Sequence, residues 1–191
     1  MNRPRGRPSR DKAIPSRLDM LGTALHLLDT QGVEAFTMRA LATRLQVNPM
    51  TIYHHFGDRD GLIGAMAEQV YSCVRVSVSG ESLRRIEALM QAYHAQVRRH
   101  PGLALLIFSR PEVFPQQAQR ITDDITQLLV EVGLTSEKAR LWVNILVDFT
   151  HGAAVATAMG ERAKPDGTDR FSDDEYDATL VVLLDALRQN A

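Results

Sequence analysis

The chain of 191 residues holds one cysteine, Cys73, so no internal disulfide can form and no cysteine-rich zinc cage can be built. A reducing compartment fits that usage. Long apolar runs are missing too: 103–108 and 180–184 are the longest unbroken ones, far below the ~18–20 residues of a membrane span. The basic start does not lead into the apolar stretch of ~7–15 residues that a secretion signal needs, because Ile14-Pro15-Ser16-Arg17 stands there. The expectation is a chain that crosses no membrane and stays in the cytoplasm. No stretch alternates with period two between hairpin turns. The chain also lacks a glycine-rich phosphate loop, a His-Glu-x-x-His pair and an evident partner that would make Cys73 a nucleophile. We therefore expect no enzyme, no catalytic residue, no cofactor and no metal site.

What is present is the balance of a globular chain of one to two domains, 45% hydrophobic and 24% charged. The net charge of −1 is unevenly spread. Arg3, Arg5, Arg7, Arg10, Lys12 and Arg17 face Asp11 alone in the first 17 residues, so one end attracts a polyanion that the rest weakly repels. A solvated tail is the plain alternative.

Helical periodicity runs through the rest, and the fold class is all-α. Leu18, Leu21, Leu25 and Leu28 mark an amphipathic helix over 16–31, closed by Gly32. Thr37 caps a short helix to residue 45, with Ala40, Leu41 and Leu45 inward. Asn48-Pro49 starts a third, 49–55, with a capping Asn and proline at the first helical position. Asp58 and Asp60 favour the start of a fourth, which reaches about residue 77. Further helices are expected over 81–99, ended by His100-Pro101-Gly102, then a short one to about residue 108, and over 116–132, 136–161 and 172–189, with Lys164-Pro165-Asp166-Gly167 as a loop.

The second and third helices, joined through Gln46-Val47-Asn48, have the spacing of a helix-turn-helix that enters a DNA major groove. Val47, Ile52 and Phe56 face inward, leaving Pro49, Met50, Thr51, Tyr53, His54 and His55 outward. A groove ~12 Å wide admits one helix. Packing between helices is the other reading of Tyr53 and the two histidines. Should the histidines lie near phosphate, mildly acidic pH would strengthen binding.

The run Gly32-Val33-Glu34-Ala35-Phe36-Thr37-Met38-Arg39-Ala40-Leu41-Ala42, followed by Val47-Asn48-Pro49-Met50-Thr51-Ile52-Tyr53-His54-His55-Phe56, resembles the tetracycline-repressor (TetR) family. The likeness is close over 17–67, and the later helices resemble that family's effector-binding and dimerisation domain in number and order. It implies that Arg39 and Tyr53 touch bases or adjacent backbone, that Pro49 and Met50 reach base edges, and that Thr37, Thr51, His55 and Arg59 hold phosphates. Two positions depart: Gln46 stands where glycine is usual in the turn, and Arg59 where lysine is usual. A side chain in a left-handed turn is costly but tolerated, and Arg keeps the phosphate charge. Separately, Pro4-Arg5-Gly6-Arg7-Pro8 resembles the core of the AT-hook, whose arginines lie along a narrow A·T-rich minor groove. Nonspecific phosphate attraction by Arg5 and Arg7 is the alternative.

In the second half, Asn144, Asp148 and His151 fall on one face of an otherwise apolar helix, and solvent, a subunit contact or a ligand would each explain them. The small run 152–158, with Tyr176, Leu180, Leu183, Leu184 and Leu187, suits a four-helix interface between two chains or packing within one. Met90, His94, Phe108, Arg110, Trp142, Asn144, Asp148 and His151 are the candidate lining of an effector cavity; for Met90, Phe108 and Trp142, core packing competes. Ser109-Arg110-Pro111 resembles a Thr-Arg-Pro turn beside the family's drug site. The resemblance, however, puts Leu106 and Ala156 where histidine and glutamate help hold a drug-bound magnesium, and neither can coordinate metal. A metal–drug effector is not expected.

The reading is thus a basic arm at 1–15, a DNA-binding head at 16–58 and an effector and dimer domain at 59–191. Its expected partners are double-stranded DNA, a second copy through the last two helices, and a small-molecule effector. It is read as a repressor released from a near-palindromic operator; a DNA-architectural protein without effector is the rival.

Overall fold

The computed structural model describes residues 15–76, 79–110, 114–163 and 172–189, with side chains from 158 to 163 set aside. Arg5, Arg7, Pro111 and the loop 164–167 lie outside them. Among the described residues the regular structure is helical, with no strand: α1 Arg17–Gln31, α2 Met38–Leu45, α3 Pro49–Phe56, α4 Arg59–Tyr71, α5 Ser82–Arg99, α6 Pro101–Phe108, α7 Gln116–Glu131, α8 Ser136–Ala163 and α9 Asp173–Gln189.

The early helices begin where local chemistry satisfies their free N–H groups. Ser16 Oγ accepts from the Asp19 N–H at 3.1 Å while the Asp19 carboxylate accepts from the Ser16 N–H at 3.0 Å, a reciprocal capping box. The Ser16 hydroxyl also donates to the Asp19 carboxylate at 2.6 Å, and this bond, with that from Ser16 N–H, favours the ionised form and holds the Asp19 pKa below its usual value. Thr37 accepts from Ala40 N–H, Asn48 from Met50 N–H and Asp58 from Gly61 N–H, each an N-cap. The turn between α2 and α3 puts Gln46 at φ 57°, ψ 40°, the left-handed conformation that glycine adopts more cheaply.

Two expectations are corrected. Leu18 is 70% exposed on the first turn of α1, whose buried side chains are Met20, Leu21, Ala24, Leu25, Leu27 and Leu28. That arc is wide because α1 packs on α2, α4 and α6. The fourth helix ends at Tyr71 rather than near residue 77: the Val74 carbonyl accepts instead from the Arg120 guanidinium of α7, and Val74 is buried.

α1, α2 and α3 form the head; α5, α7 and α8 form the centre of the body, with α9 against α5 and α8. One apolar core joins both parts. α4 runs from α3 into the body, and α6 lies between α1 and α4 on one side and α5 and α8 on the other.

Candidate nucleic-acid interface and ligand cavity

α3 is held from beneath by Ile52, fully buried, and Phe56, 8% exposed. The Arg17 guanidinium lies over the Phe56 ring, 4.9 Å from its centroid. What remains on the outer side is Met50 at 67% exposure, Tyr53 at 40%, and exposed His54 and His55. Pro49 and Thr51 are half-buried beside them. Arg39 and Thr37 of the preceding helix are exposed, the Thr37 hydroxyl serving also as the cap of α2. Arg59, at the start of α4, is half-buried with its guanidinium 5.7 Å from the Phe36 centroid. Eight short-helix residues thus expose a polar and aromatic face flanked by an arginine, while packing chiefly on α2 and α4.

The body encloses an apolar cavity of about 250 Å³ bounded by α4, α5, α6, α7 and α8. Its walls include Tyr71, Tyr93, Ile107, Phe108, Phe114, Ile121, Val147 and His151. Tyr93 Oη and His151 Nε2 are 2.7 Å apart, and the Phe108 ring meets the imidazole edge-on at 4.3 Å. Burial pushes the His151 pKa down to about 4, against a small opposing effect of the Val147 carbonyl. Burial raises the Tyr93 and Tyr71 hydroxyls.

Of the eight effector candidates, Phe108 and His151 line this cavity. The other six are placed elsewhere, each for a packing reason. Met90 is wholly buried in the core, and Trp142 is half-buried against it. His94 stacks face to face on Tyr176 at 3.6 Å, beside an ion pair of Arg98 with Asp173, and burial lowers its pKa. Arg110 pairs with Asp60 of α4 at 2.5 Å. Asn144 and Asp148 are exposed on α8. Tyr71, Tyr93, Phe114, Ile121 and Val147 carry no polar stripe and read in sequence as plain core; the small Ala118 and Thr122, one turn apart on α7, were the available sign of space.

The residues expected at a subunit contact also divide. Tyr176, Leu180, Leu184 and Leu187 are buried against their own chain, as are Ala153, Ala154 and Thr157. The Tyr176 hydroxyl is engaged by Thr150 at 2.9 Å. Leu141 and Ile145 of α8 and Val181 and Val182 of α9 are instead 43–65% exposed, and a Cβ at Gly152 would meet nothing within 4 Å. Among the described residues no helix is long and apolar enough to cross a membrane, and no group of three acidic, His or Cys residues is placed to hold a metal.

Residues 20–66 match the family model described as bacterial regulatory proteins, tetR family, and residues 79–188 match the tetracyclin repressor-like C-terminal domain. An HTH-type transcriptional regulator of Saccharopolyspora erythraea is 31% identical over 116 residues, 59% of this chain and 48% of its own length. The HTH-type transcriptional repressor DrrR1 of Streptomyces coeruleorubidus is 27% identical over 165 residues, 83% of this chain and 60% of its own. The chain therefore spans about half to three fifths of these relatives. In solved structures, Mycobacterium smegmatis BioQ shares the fold with a TM-score of 0.80 at 20% identity, over 93% of this chain and 99% of that one.

Proposed function

The chain belongs to the tetR family of bacterial regulatory proteins, and from that premise we propose that it is a sequence-specific transcriptional repressor, not an enzyme, that a small molecule releases from its operator. Its units are the arm 1–15, the head 16–58 and the effector and dimer domain 59–191, and it works in the cytoplasm, where the DNA is. The observation that carries this reading is the uncovered face of α3, with Met50 and Tyr53 exposed on a helix whose other side is locked by Ile52 and Phe56. Tyr53, Met50, Pro49 and Arg39 read base edges, while Thr37, Thr51, His54, His55 and Arg59 contact backbone. Arg5 and Arg7 extend the contact along the duplex.

Two copies join through α8 and α9. Leu141, Ile145, Val181 and Val182 supply the apolar surface, and Gly152 allows close approach. The pair of recognition helices then reads half-sites about one helical turn, ~34 Å, apart. The effector occupies the cavity of the body. One of its walls is α6, which is tied to α1 of the head at its start and to α4 at its end. At the start, His100 Nδ1 lies 2.9 Å from Asp29 of α1 and Gly102 packs on Leu28; at the end stands the Arg110–Asp60 pair. Ligand pressure on Ile107 and Phe108 therefore acts on an element anchored to α1 and α4, and a coupling of ~1–3 kcal/mol separates the operator-competent spacing from the released one.

The test is a titration of operator DNA, selected from a random pool by the purified protein, followed by fluorescence anisotropy. Affinity falls steeply with salt as phosphate contacts release counterions. Tyr53→Ala and Arg39→Ala each lose ~1–3 kcal/mol of preference at the bases they read. If both variants still select the same sequence, the assignment of the reading face is wrong.

A further inference from the structure

We propose that the cavity beneath α6 takes a compact, uncharged, mostly apolar molecule with one hydroxyl or carbonyl group, and that the Tyr93–His151 pair reads that group. This rests on the effector reading above and adds what the site selects. The volume of about 250 Å³ lies just under the ~300–1,000 Å³ of sites for drug-sized ligands, so the molecule is small. The described lining residues include no Asp, Glu, Lys or Arg; Arg110, next in sequence to the wall, is turned to Asp60. Thr122 spends its hydroxyl proton on the Ala118 carbonyl one turn back, at 3.0 Å. That leaves the 2.7 Å contact between Tyr93 and His151 as the polar pair of the walls, beside the Tyr71 hydroxyl.

That pair can serve a donor or an acceptor without acquiring charge. With the imidazole proton on Nδ1, the Tyr93 hydroxyl donates to Nε2 and its oxygen can accept from a ligand hydroxyl. With the proton on Nε2, the ring donates to the Tyr93 oxygen, and the phenol proton is free for a ligand carbonyl. The Val147 carbonyl favours a proton on Nδ1, but Nδ1 is buried without a hydrogen bond of ordinary geometry.

Charge is excluded for the reason that the cavity discharges its own side chains. Desolvation pushes His151 toward its neutral form and the Tyr93 hydroxyl toward its neutral form as well. An environment that does not compensate an imidazolium or a phenolate for lost water does not compensate an ammonium or carboxylate either. Phe108 and Phe114, 53% and 57% exposed, stand at the mouth, and the edge-on Phe108–His151 contact is the packing that a flat ring extends.

Three probes of similar size test this by equilibrium dialysis against the full chain at pH 7 without DNA: 2-naphthol, naphthalene and 2-naphthoate. Expected is 2-naphthol binding at least about tenfold tighter than 2-naphthoate and several-fold tighter than naphthalene, since a buried polar group or charge left unpaired keeps its full desolvation penalty. In Tyr93→Phe and His151→Phe, 2-naphthol falls to the affinity of naphthalene, while naphthalene binding stays within about twofold, which also reports an intact cavity. Equal binding of 2-naphthoate, no binding of 2-naphthol, or a naphthol preference that survives both variants overturns the proposal. Operator titration of the same preparation separates the two readings: a chain that selects DNA yet prefers 2-naphthoate refutes the ligand class alone, whereas one that binds 2-naphthol but selects no DNA refutes the regulator.

Discussion

Gly61 and Gly22 offer one substitution with two opposite outcomes. Both lie within helices, in α4 and α1, where alanine is intrinsically favoured over glycine by ~1 kcal/mol. At Gly22 a Cβ meets nothing within 4 Å, so Gly22→Ala gains up to that amount. At Gly61 the same atom would stand 2.1 Å from the Phe56 carbonyl oxygen and 3.3 Å from its carbon. These are backbone atoms at the end of α3 and cannot swing aside. The start of α4 must retreat from α3 by about 1 Å or more, and it carries the cap in which Gly61 N–H donates to Asp58 Oδ1 at 2.7 Å. Overpacking of this kind costs ~1–3 kcal/mol and a weakened cap ~1 kcal/mol, so the propensity gain is outweighed and a net loss of ~1–3 kcal/mol remains. At ~2–4 °C per kcal/mol for a chain of this size, Gly61→Ala lowers Tm by ~2–12 °C while Gly22→Ala raises it by up to ~2–4 °C. The assay is differential scanning calorimetry at one protein concentration, because any association of copies would make Tm concentration-dependent. Operator affinity falls with Gly61→Ala and not with Gly22→Ala. A Gly61→Ala protein as stable as the parent would refute the close approach of α4 to α3.

Ile145→Asp, at a side chain 45% exposed in the single chain, leaves helicity intact but converts dimer to monomer in sedimentation equilibrium; an unchanged dimer would move the interface off this face. His151, held down to about 4 in the folded state against ~6.5 unfolded, contributes stability that is complete above pH ~6.5 and is lost as pH falls toward ~4, up to about 3 kcal/mol. Urea denaturation across that window should therefore decline less in His151→Phe than in the parent, and parallel curves would mean a solvated ring. Arg110→Gln breaks a pair whose side chains are 30% and 36% exposed, so stability changes by less than ~1 kcal/mol. Release of operator by 2-naphthol should nevertheless weaken, and an unaltered response would exclude the α6–α4 contact as the route.

The starts of α1 to α4 were legible because Ser16, Thr37, Asn48 and Asp58 act within three residues of themselves; local hydrogen bonding needs no tertiary partner. The inward set Ile52 and Phe56 followed from helical period alone, and so did the outward Met50 and Tyr53. The left-handed Gln46 followed from the family resemblance. What a single helix cannot encode is which of two apolar arcs meets its own chain. Along α8, Asn144, Asp148 and His151 share one stripe of about 60° of arc at 3.6 residues per turn, yet His151 reaches the cavity while the other two face outward. Likewise Tyr176, Leu180, Leu184 and Leu187 turn into their own body and leave Val181 and Val182 outside. Periodicity measures an angle about one axis, whereas a cavity is the place where five helices fail to fill space. That failure depends on how Tyr71, Tyr93, Phe108, Val147 and their neighbours from separate helices converge, which only the packed structure decides.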